Sequence, residues 1–465
     1  MRRHGAAFFP ELKGFSFLPY LMPLHRLIQR ALLAAAVCTT PAHAAIVGNG
    51  TLGSCTEAAL DSALSGGGIV TFDCGEPATT ITLSGPKVLT AATAIDGGGK
   101  ITLTAGGAFR LFQLNNAAYT FTGLSLTNGQ AVGVLVADKD GGAIHANGST
   151  LLLNKVTLAG NVAERSGGAV YAGSSANVTL SEVTATGNRA GVGGVINAGT
   201  GVTLLVSELV AQGNHGDDGG GAIWHRGAAL TVQLSLFTGN TVDDTYGSGG
   251  AIFVTSTATT TLAIANSTFQ GNGRTAGGAP TFASALGVAN VPSGTVTNST
   301  FAGNVAAIFS GGSSTLTLKN TIVSSSTAAA NCVTDNDGAI ADGGNNLQFG
   351  GTAAQSCGAA IPDQNPQLAA LADNGGFSQT MALLAGSPAI DAGSGCPATD
   401  QRGVARPIGP LCDIGAFEAP LSVVVPPGPG GQAAVIPALD GAGLALLSAL
   451  VAGIGVLLRR RQRSE

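Results

Sequence analysis

The sequence predicts an all-β fold, a right-handed parallel β-helix solenoid. Three observations point to it. First, a phrase recurs about every 26 residues: Gly141-Gly142-Ala143-Ile144, Gly167-Gly168-Ala169-Val170, Gly193-Gly194-Val195-Ile196, Gly220-Gly221-Ala222-Ile223 and Gly249-Gly250-Ala251-Ile252. Second, a Gly-Asn phrase keeps a similar offset from it, ending at Asn161, Asn188, Asn214, Asn240, Asn272 and Asn304. Third, 71 glycines separate short Val/Ile/Leu/Thr runs, with 45% of residues apolar and only 10% charged. A fixed period of this size marks a solenoid, in which each repeat buries its apolar face on its neighbours. Glycine turns between β-branched runs favour strands.

Residues 1–44 read as a secretory signal peptide. Met22-Pro23-Leu24-His25-Arg26 opens a basic segment, Ala31 to Val37 is apolar, and Ala42-His43-Ala44 is a small-x-small cleavage site. Met22 reads as the initiator; the alternative is a long n-region. Residues 45–100 are expected to hold an N-terminal cap and the first coils, and 101–330 the coils of about 26 residues. In one turn, Leu230 to Leu234 alternates as a strand and Phe237-Thr238-Gly239-Asn240 makes a corner. A polar loop runs from Thr241 to Ser248, Gly249-Gly250 turns, and Ala251 to Val254 begins the next strand. Roughly ten coils between about 68 and 325 would make a rod near 50 Å long, at about 4.8 Å per rung. The corner Asn reads as structural, because Asn tolerates left-handed geometry and stacked amides form ladders. The Gly pairs are turn chemistry, and no Walker-type Lys-Ser/Thr follows them.

The pairing of GGA-Ile/Val with Phe-x-x-Asn resembles the repeats of polymorphic outer-membrane adhesins of the autotransporter kind. Phe237-Thr238-Gly239-Asn240, Phe269-Gln270-Gly271-Asn272 and Phe301-Ala302-Gly303-Asn304 match best, while Leu158, Ala185 and Ala211 stand at the Phe position in earlier coils. No C-terminal β-barrel follows, so autotransporter export is not implied. The wider likeness, over roughly 50–330, is to pectate-lyase-like β-helix proteins.

Residues 331–418 are expected to form a C-terminal cap and a separate module. Asn365-Pro366-Gln367-Leu368, Asp373-Asn374-Gly375-Gly376, Gly386 to Asp391, Asp400-Gln401-Arg402-Gly403 and Cys412 to Glu418 are highly patterned. This resembles the choice-of-anchor Q module, with Met381 where that family often has His. Asp400, Arg402 and Asp413 read as a structural ion-pair network. A Pro/Gly linker at 419–434 leads to a tail at 435–465. In that tail Ile436-Pro437-Ala438-Leu439 precedes an apolar run from Leu444 to Leu458, then a basic cluster from Arg459 to Arg463. The order of motif, span and basic end resembles IPTL- and PEP-type sorting tails. The span, with its lead-in, is about 18 residues, enough to cross a membrane core, and the basic end stays cytoplasmic. A permanent anchor and a tail cut off during export both fit. The resemblance implies inner-membrane sorting machinery as a partner and the bacterial envelope or outer surface as the destination.

Without these ends, the body at 45–434 keeps 12 basic and 23 acidic residues, a net charge of −11. An acidic surface repels phosphate backbones, so nucleic acid is not an expected partner. Six cysteines remain once Cys38 leaves with the signal peptide. An oxidising destination favours disulfides, and of 15 connectivities the adjacent pairs Cys55–Cys74, Cys332–Cys357 and Cys396–Cys412 are expected, at the solenoid ends. No Cys-x-x-Cys supports zinc or redox chemistry.

Two places could carry function. Aligned after the corner Asn, position +1 holds Val162, Arg189, His215 and Thr241; +3 holds Glu164, Gly191, Asp217 and Asp243; +4 holds Arg165, Val192, Asp218 and Asp244. In register, Asp217 stacks under Asp243 and Asp218 under Asp244, and four crowded carboxylates would have raised pKa values unless a cation sits among them. Ca²⁺ suits such an oxygen cage. Beside Arg189 and His215 it would resemble the site of β-helix polysaccharide lyases, where a metal acidifies a uronate and a base takes its proton. Two carboxylates could instead serve a glycosidase, and a solvated acidic loop fits as well. The second place is the ladder His145, Tyr171, Asn197, Trp224 and Phe253, one residue beyond Ile144, Val170, Ile196, Ile223 and Ile252. If the aliphatics point inward, alternation puts the ladder outside, where ring faces suit sugar or protein contact; the other register would bury it.

The function expected is that of an exported, surface-displayed protein binding a polysaccharide or a surface protein through His145, Tyr171, Trp224 and Phe253. The alternative is a Ca²⁺-dependent polysaccharide lyase or glycoside hydrolase working through Asp217, Asp243, Arg189 and His215. A passive stalk is the third reading.

Overall fold

The corner Asn and the Gly pair set the shape of every coil, and their consequences are visible in the computed structural model. It describes residues 44–243, 249–255, 260–275, 283–324, 330–335 and 337–421. The expected signal peptide through residue 43, Asp244, and the linker and sorting tail from 422 onward lie outside the described residues.

Three parallel sheets wind around one apolar core: a bent sheet of 19 strands, one of six and one of ten. The middle coils visit all three in that order, as in Asn177–Thr186, Arg189–Val192 and Ile196–Ala198. Successive coils register residue on residue, so Val170, Ile196, Ile223 and Ile252 form one column. All four are fully buried. Strand pairing begins at Ala44–Gly48 and continues to Leu347–Phe349. The solenoid thus runs further at both ends than the repeat phrases alone indicate. Ala330–Thr334 and Ala339–Asp342, expected in the cap, are still coil strands.

Both glycines of each pair are required. The first, as at Gly167 and Gly193, has a positive φ of 65° or 69°, which residues with a Cβ adopt only with strain. The second is forced by proximity: a Cβ on Gly168 would lie 2.2 Å from the Gly194 carbonyl oxygen of the next coil. The corner asparagines form a continuous buried ladder. Asn161 Nδ2 donates to Asn188 Oδ1 (3.0 Å), Asn188 Nδ2 to Asn214 Oδ1 (2.9 Å), and the chain continues through Asn240 and Asn272 to Asn304. The period lengthens along it, from 26 residues between Asn188 and Asn214 to 32 between Asn240 and Asn272. Inside the core, Phe237, Phe269 and Phe301 stack with centroids 4.9 and 4.5 Å apart.

The N-terminal end carries one helix, α1 (Glu57–Leu64). Thr56 caps it by accepting from the Ala59 N–H, and it buries Leu60, Ala63 and Leu64. The three disulfides are Cys55–Cys74, Cys332–Cys357 and Cys396–Cys412, the adjacent pairing expected.

Residues 392–416 lie as a strap along the bent sheet. At its bend, successive coils place a residue with φ between 45° and 58°: Lys155, Glu182, Glu208 and Leu234, then Asn266, Asn298, Asn320 and Asn345. The four asparagines each donate Nδ2 to a strap carbonyl: Thr399 (2.9 Å), Asp413 (3.2 Å), Ser394 (3.0 Å) and Ala392 (2.9 Å). Asn therefore does two things there, accepting the left-handed bend and holding the strap. The expected ion-pair network is partly different. Arg402 binds Asp400 (2.6 Å) and lies 3.7 Å over the Phe417 ring. The second buried pair is Arg406–Glu418 (2.9 Å), and Asp413 accepts instead from the backbone N–H groups of Asp391 and Ala419.

Candidate functional site

The ten-stranded sheet sets the first candidate site. With Ile144, Val170, Ile196, Ile223 and Ile252 in the core, the next residue in each strand faces outward. Register joins these into one column: Val88, Gln113, His145, Tyr171, Asn197, Trp224, Phe253, Gly287, Phe309 and Val333. His145 and Tyr171 stack at 4.9 Å, and Trp224 and Phe253 pack at 4.6 Å with their rings tilted by 57°. The column is outside yet largely shielded, with His145 and Phe253 only 6% and 8% exposed and Tyr171 and Trp224 half-buried.

Its N-terminal end is roofed by polar groups. Arg110 donates to the carbonyls of Gly141 (3.1 Å) and Asp140 (2.6 Å), and Arg165 Nε holds Asp140 Oδ1 at 2.8 Å. Burial, with Arg110 close by, pushes the His145 pKa down to about 4. Burial, with the Asp140 charge, raises that of Tyr171. In the middle of the column two donors are hidden from solvent without a hydrogen-bond partner among the described residues, Asn197 Nδ2 and Trp224 Nε1.

The six-stranded sheet positions the second group. Arg189, His215 and Thr241 stack in one column, and Asp243 N–H donates to Asp217 O on adjacent rungs. His215 Nε2 lies 3.2 Å from Asp217 Oδ1 and 3.2 Å from Asp243 Oδ2. Arg189 reaches the same carboxylates at 2.6 and 3.7 Å. His215 Nδ1 is 2.9 Å from the Thr241 hydroxyl. The Thr275 hydroxyl donates to Asp243 and, with the neighbouring His215 and Arg189 side chains, holds that carboxyl below its ordinary range. For Asp243 the direction is thus the reverse of the one expected from crowding, lowered where repulsion alone would raise it. Two carboxylates converge with two cationic or neutral partners, Asp218 is exposed beside them, and Asp244 lies outside the described residues.

A cleft of about 470 Å³ between the bent sheet and the residues after it is lined by Gln270, Phe349, Asn365, Leu368 and Met381 among others. Among the described residues it holds no unpaired buried polar side chain, so it offers less recognition chemistry than the column.

Residues 111–285, which contain both groups, match the family model of the right handed beta helix region. The chain carries a right-handed β-helix region. Residues 434–461 match the IPTL-CTERM motif, so the β-helix precedes a C-terminal sorting motif. Among solved structures, that of PfbA, a surface adhesin of Streptococcus pneumoniae, is similar at 12% identity and a TM-score of 0.35, covering 66% of this chain and 89% of that one. No curated protein matches the chain.

Within the β-helix, His145, Tyr171, Trp224 and Phe253 fall in one column, and Asp217, Asp243, Arg189 and His215 in one cluster. Sequence reasoning passed over Asn197 as a site residue although it stood in the ladder. It also missed Arg110 and Asp140, which belong to different coils, and the threonines Thr241 and Thr275. The signal for the threonines was present in the first case: Thr241 occupies position +1, directly after His215 in the alignment of coils.

Proposed function

We propose that the protein is exported, displayed at the bacterial envelope or surface, and binds a polysaccharide chain along the outer column of the ten-stranded sheet. The observation that carries this is one outward column of rings, His145 stacked on Tyr171 and Trp224 packed at a tilt on Phe253, with the unpartnered donors Asn197 Nδ2 and Trp224 Nε1 at its middle. A buried donor without an acceptor costs about 1–3 kcal/mol, and a sugar hydroxyl or ring oxygen would supply that acceptor once the Asn197 and Trp224 side chains rotate to expose their N–H groups. Ring faces supply the apolar contact that pyranose C–H surfaces need. The column crosses ten rungs, about 43 Å at about 4.8 Å per rung, which suits an extended polymer. The tail is read as the sorting signal for inner-membrane machinery, removed or retained as the anchor, and the segment at 365–418 as an anchor-proximal module of the choice-of-anchor Q kind.

The test is native electrophoresis of the full chain in detergent through gels cast with different polysaccharides, with Ca²⁺ present. Wild type is expected to be retarded in one gel without clearing it, and Trp224→Ala to run freely there. A cleared zone that Asp217→Ala abolishes would instead establish the lyase or hydrolase. Free migration of wild type in every gel would overturn the glycan reading in favour of a protein partner.

A further inference from the structure

We propose that His215, Asp217 and Asp243 form a binding site for a first-row divalent transition metal of the Zn²⁺ class, closed by Arg189 when no metal is held. This site is separate from the column just described and does not depend on it.

The argument starts from the imidazole. Nδ1 is engaged by the Thr241 hydroxyl at 2.9 Å, which fixes the ring and directs Nε2 to the two carboxylates. Nε2 is shielded from solvent, and neither oxygen at 3.2 Å is aligned with it for a hydrogen bond. If Nδ1 is the donor to Thr241, Nε2 turns a lone pair toward two anionic oxygens. That arrangement is repulsive until a cation stands between them. Two ligand atoms about 2.0–2.2 Å from one ion at near-tetrahedral angles are about 3.3 Å apart, close to the observed 3.2 Å. One nitrogen and one oxygen from each Asp all fall within 4.8 Å of one another.

The donor set selects the class of ion. Ca²⁺ takes 6–8 oxygens, whereas one imidazole and two carboxylates suit Zn²⁺ and its neighbours. The surroundings are those of a supported site: Thr241 orients the imidazole and Thr275 the Asp243 carboxylate, the outer contacts that tune metal ligands. Arg189, half-exposed and paired to Asp217 at 2.6 Å, supplies the positive charge in the absence of metal and would have to swing out to admit one.

The full chain, purified in detergent without a histidine tag and stripped with chelator, is titrated calorimetrically with Zn²⁺. A parallel titration with Co²⁺ is followed by visible absorption, which reports ligand type and geometry. One equivalent of Zn²⁺ is expected, with nitrogen–oxygen coordination in the Co²⁺ spectrum. His215→Asn should abolish stoichiometric uptake. Thr241→Val should weaken it about 10–100-fold, and Arg189→Gln should tighten it by removing the competing charge. Circular dichroism of each variant checks that the solenoid is intact; were His215→Asn to misfold, the opposed shifts from Thr241→Val and Arg189→Gln decide. No stoichiometric uptake by wild type, uptake unchanged in the folded His215→Asn variant, or Ca²⁺ binding in place of Zn²⁺ would each overturn the proposal. The first of these would leave an Arg–His–carboxylate ion-pair network.

Discussion

Replacing Asn214 with Ala tests whether the corner ladder holds the coils together. The side chain is fully buried and makes four bonds. Nδ2 donates to Ala185 O and Asn240 Oδ1, and Oδ1 accepts from the backbone N–H and the Nδ2 of Asn188, all at 2.9–3.0 Å. Two of the partners keep other bonds: Asn188 Nδ2 still donates to Leu158 O, and Asn240 Oδ1 still accepts from Asn214 N. The Asn188 N–H and the Ala185 carbonyl lose their side-chain partner in a dry corner. At about 1–3 kcal/mol for each unsatisfied group, the variant should lose about 2–6 kcal/mol. Urea denaturation followed by the single Trp, Trp224, and by circular dichroism measures the loss near the lesion and across the solenoid. Asn177→Ala, at an exposed strand start, is the control and should stay within about 0.5 kcal/mol of wild type. If Asn214→Ala is no less stable than Asn177→Ala, the ladder is not a source of stability and the account of the corners is wrong.

Three further outcomes follow from the same structure. Phe269→Ala empties the middle of a three-ring stack and should cost about 3–5 kcal/mol, read from the urea midpoint; a cost below that of an exposed substitution would show that the core closes over the gap. Glu182→Asn, at a bend with φ 53°, should stabilise by about 1 kcal/mol, because the left-handed conformation is costly for Glu and tolerated by Asn; a lower thermal midpoint would refute it. Burial holds the pKa of His225 at about 4, the Gly227 backbone offsetting it only in part. The unfolded chain therefore takes up the proton first, and stability should fall as pH drops from about 6.5 to about 4, by about 3 kcal/mol for this residue. His225→Leu should flatten that slope, His145 leaving its own share in the same window; parallel curves for wild type and variant would count against the assignment.

The fold was legible because the repeat states it many times. Gly-Gly, the corner Asn and the inward Ile/Val recur with their spacing, and each recurrence is enforced by a contact with the next coil. What the repeat does not contain stayed hidden. Helix α1 caps an end and has no counterpart in any coil. The strap's hold on Asn266, Asn298, Asn320 and Asn345 joins residues up to 133 positions apart, and nothing local in either segment announces the other. The site was legible as columns, since register converts sequence offset into stacking. Its electrostatics were not. Alignment placed Asp217 under Asp243, but whether those carboxylates repel or are neutralised depended on where Arg189 and His215 extend. The structure brings both into the group beside the Thr275 hydroxyl. The Thr275 hydrogen bond leads, and His215 and Arg189 add to it, in lowering the Asp243 pKa where repulsion alone would have raised it.

A solenoid also separates support from chemistry within one chain. The positions that stay the same from coil to coil are those whose contacts leave no choice: Gly168, where a Cβ meets a carbonyl oxygen at 2.2 Å, Asn214 with its four bonds, and the Ile223 column in the core. The outward column beside it reads His145, Tyr171, Asn197, Trp224, Phe253 and then Gly287, a different residue at every rung. Packing does not require that variety, since an outward position on a parallel sheet accepts most side chains. The six-stranded sheet shows the same contrast, with Ala163, Ala190, Gly216 and Val242 small or aliphatic and buried, while Val162, Arg189, His215 and Thr241 alternate with them on the outer face. Because the corner ladder holds the rungs from Asn161 to Asn304 in register, a substitution in either outer column should change the surface without moving the coil that carries it. A break in the ladder, by contrast, should disturb both columns at once. Measuring polysaccharide retardation and Zn²⁺ uptake together on Asn214→Ala would show whether two sites on different faces share this one scaffold: both should weaken, although Asn214 belongs to neither.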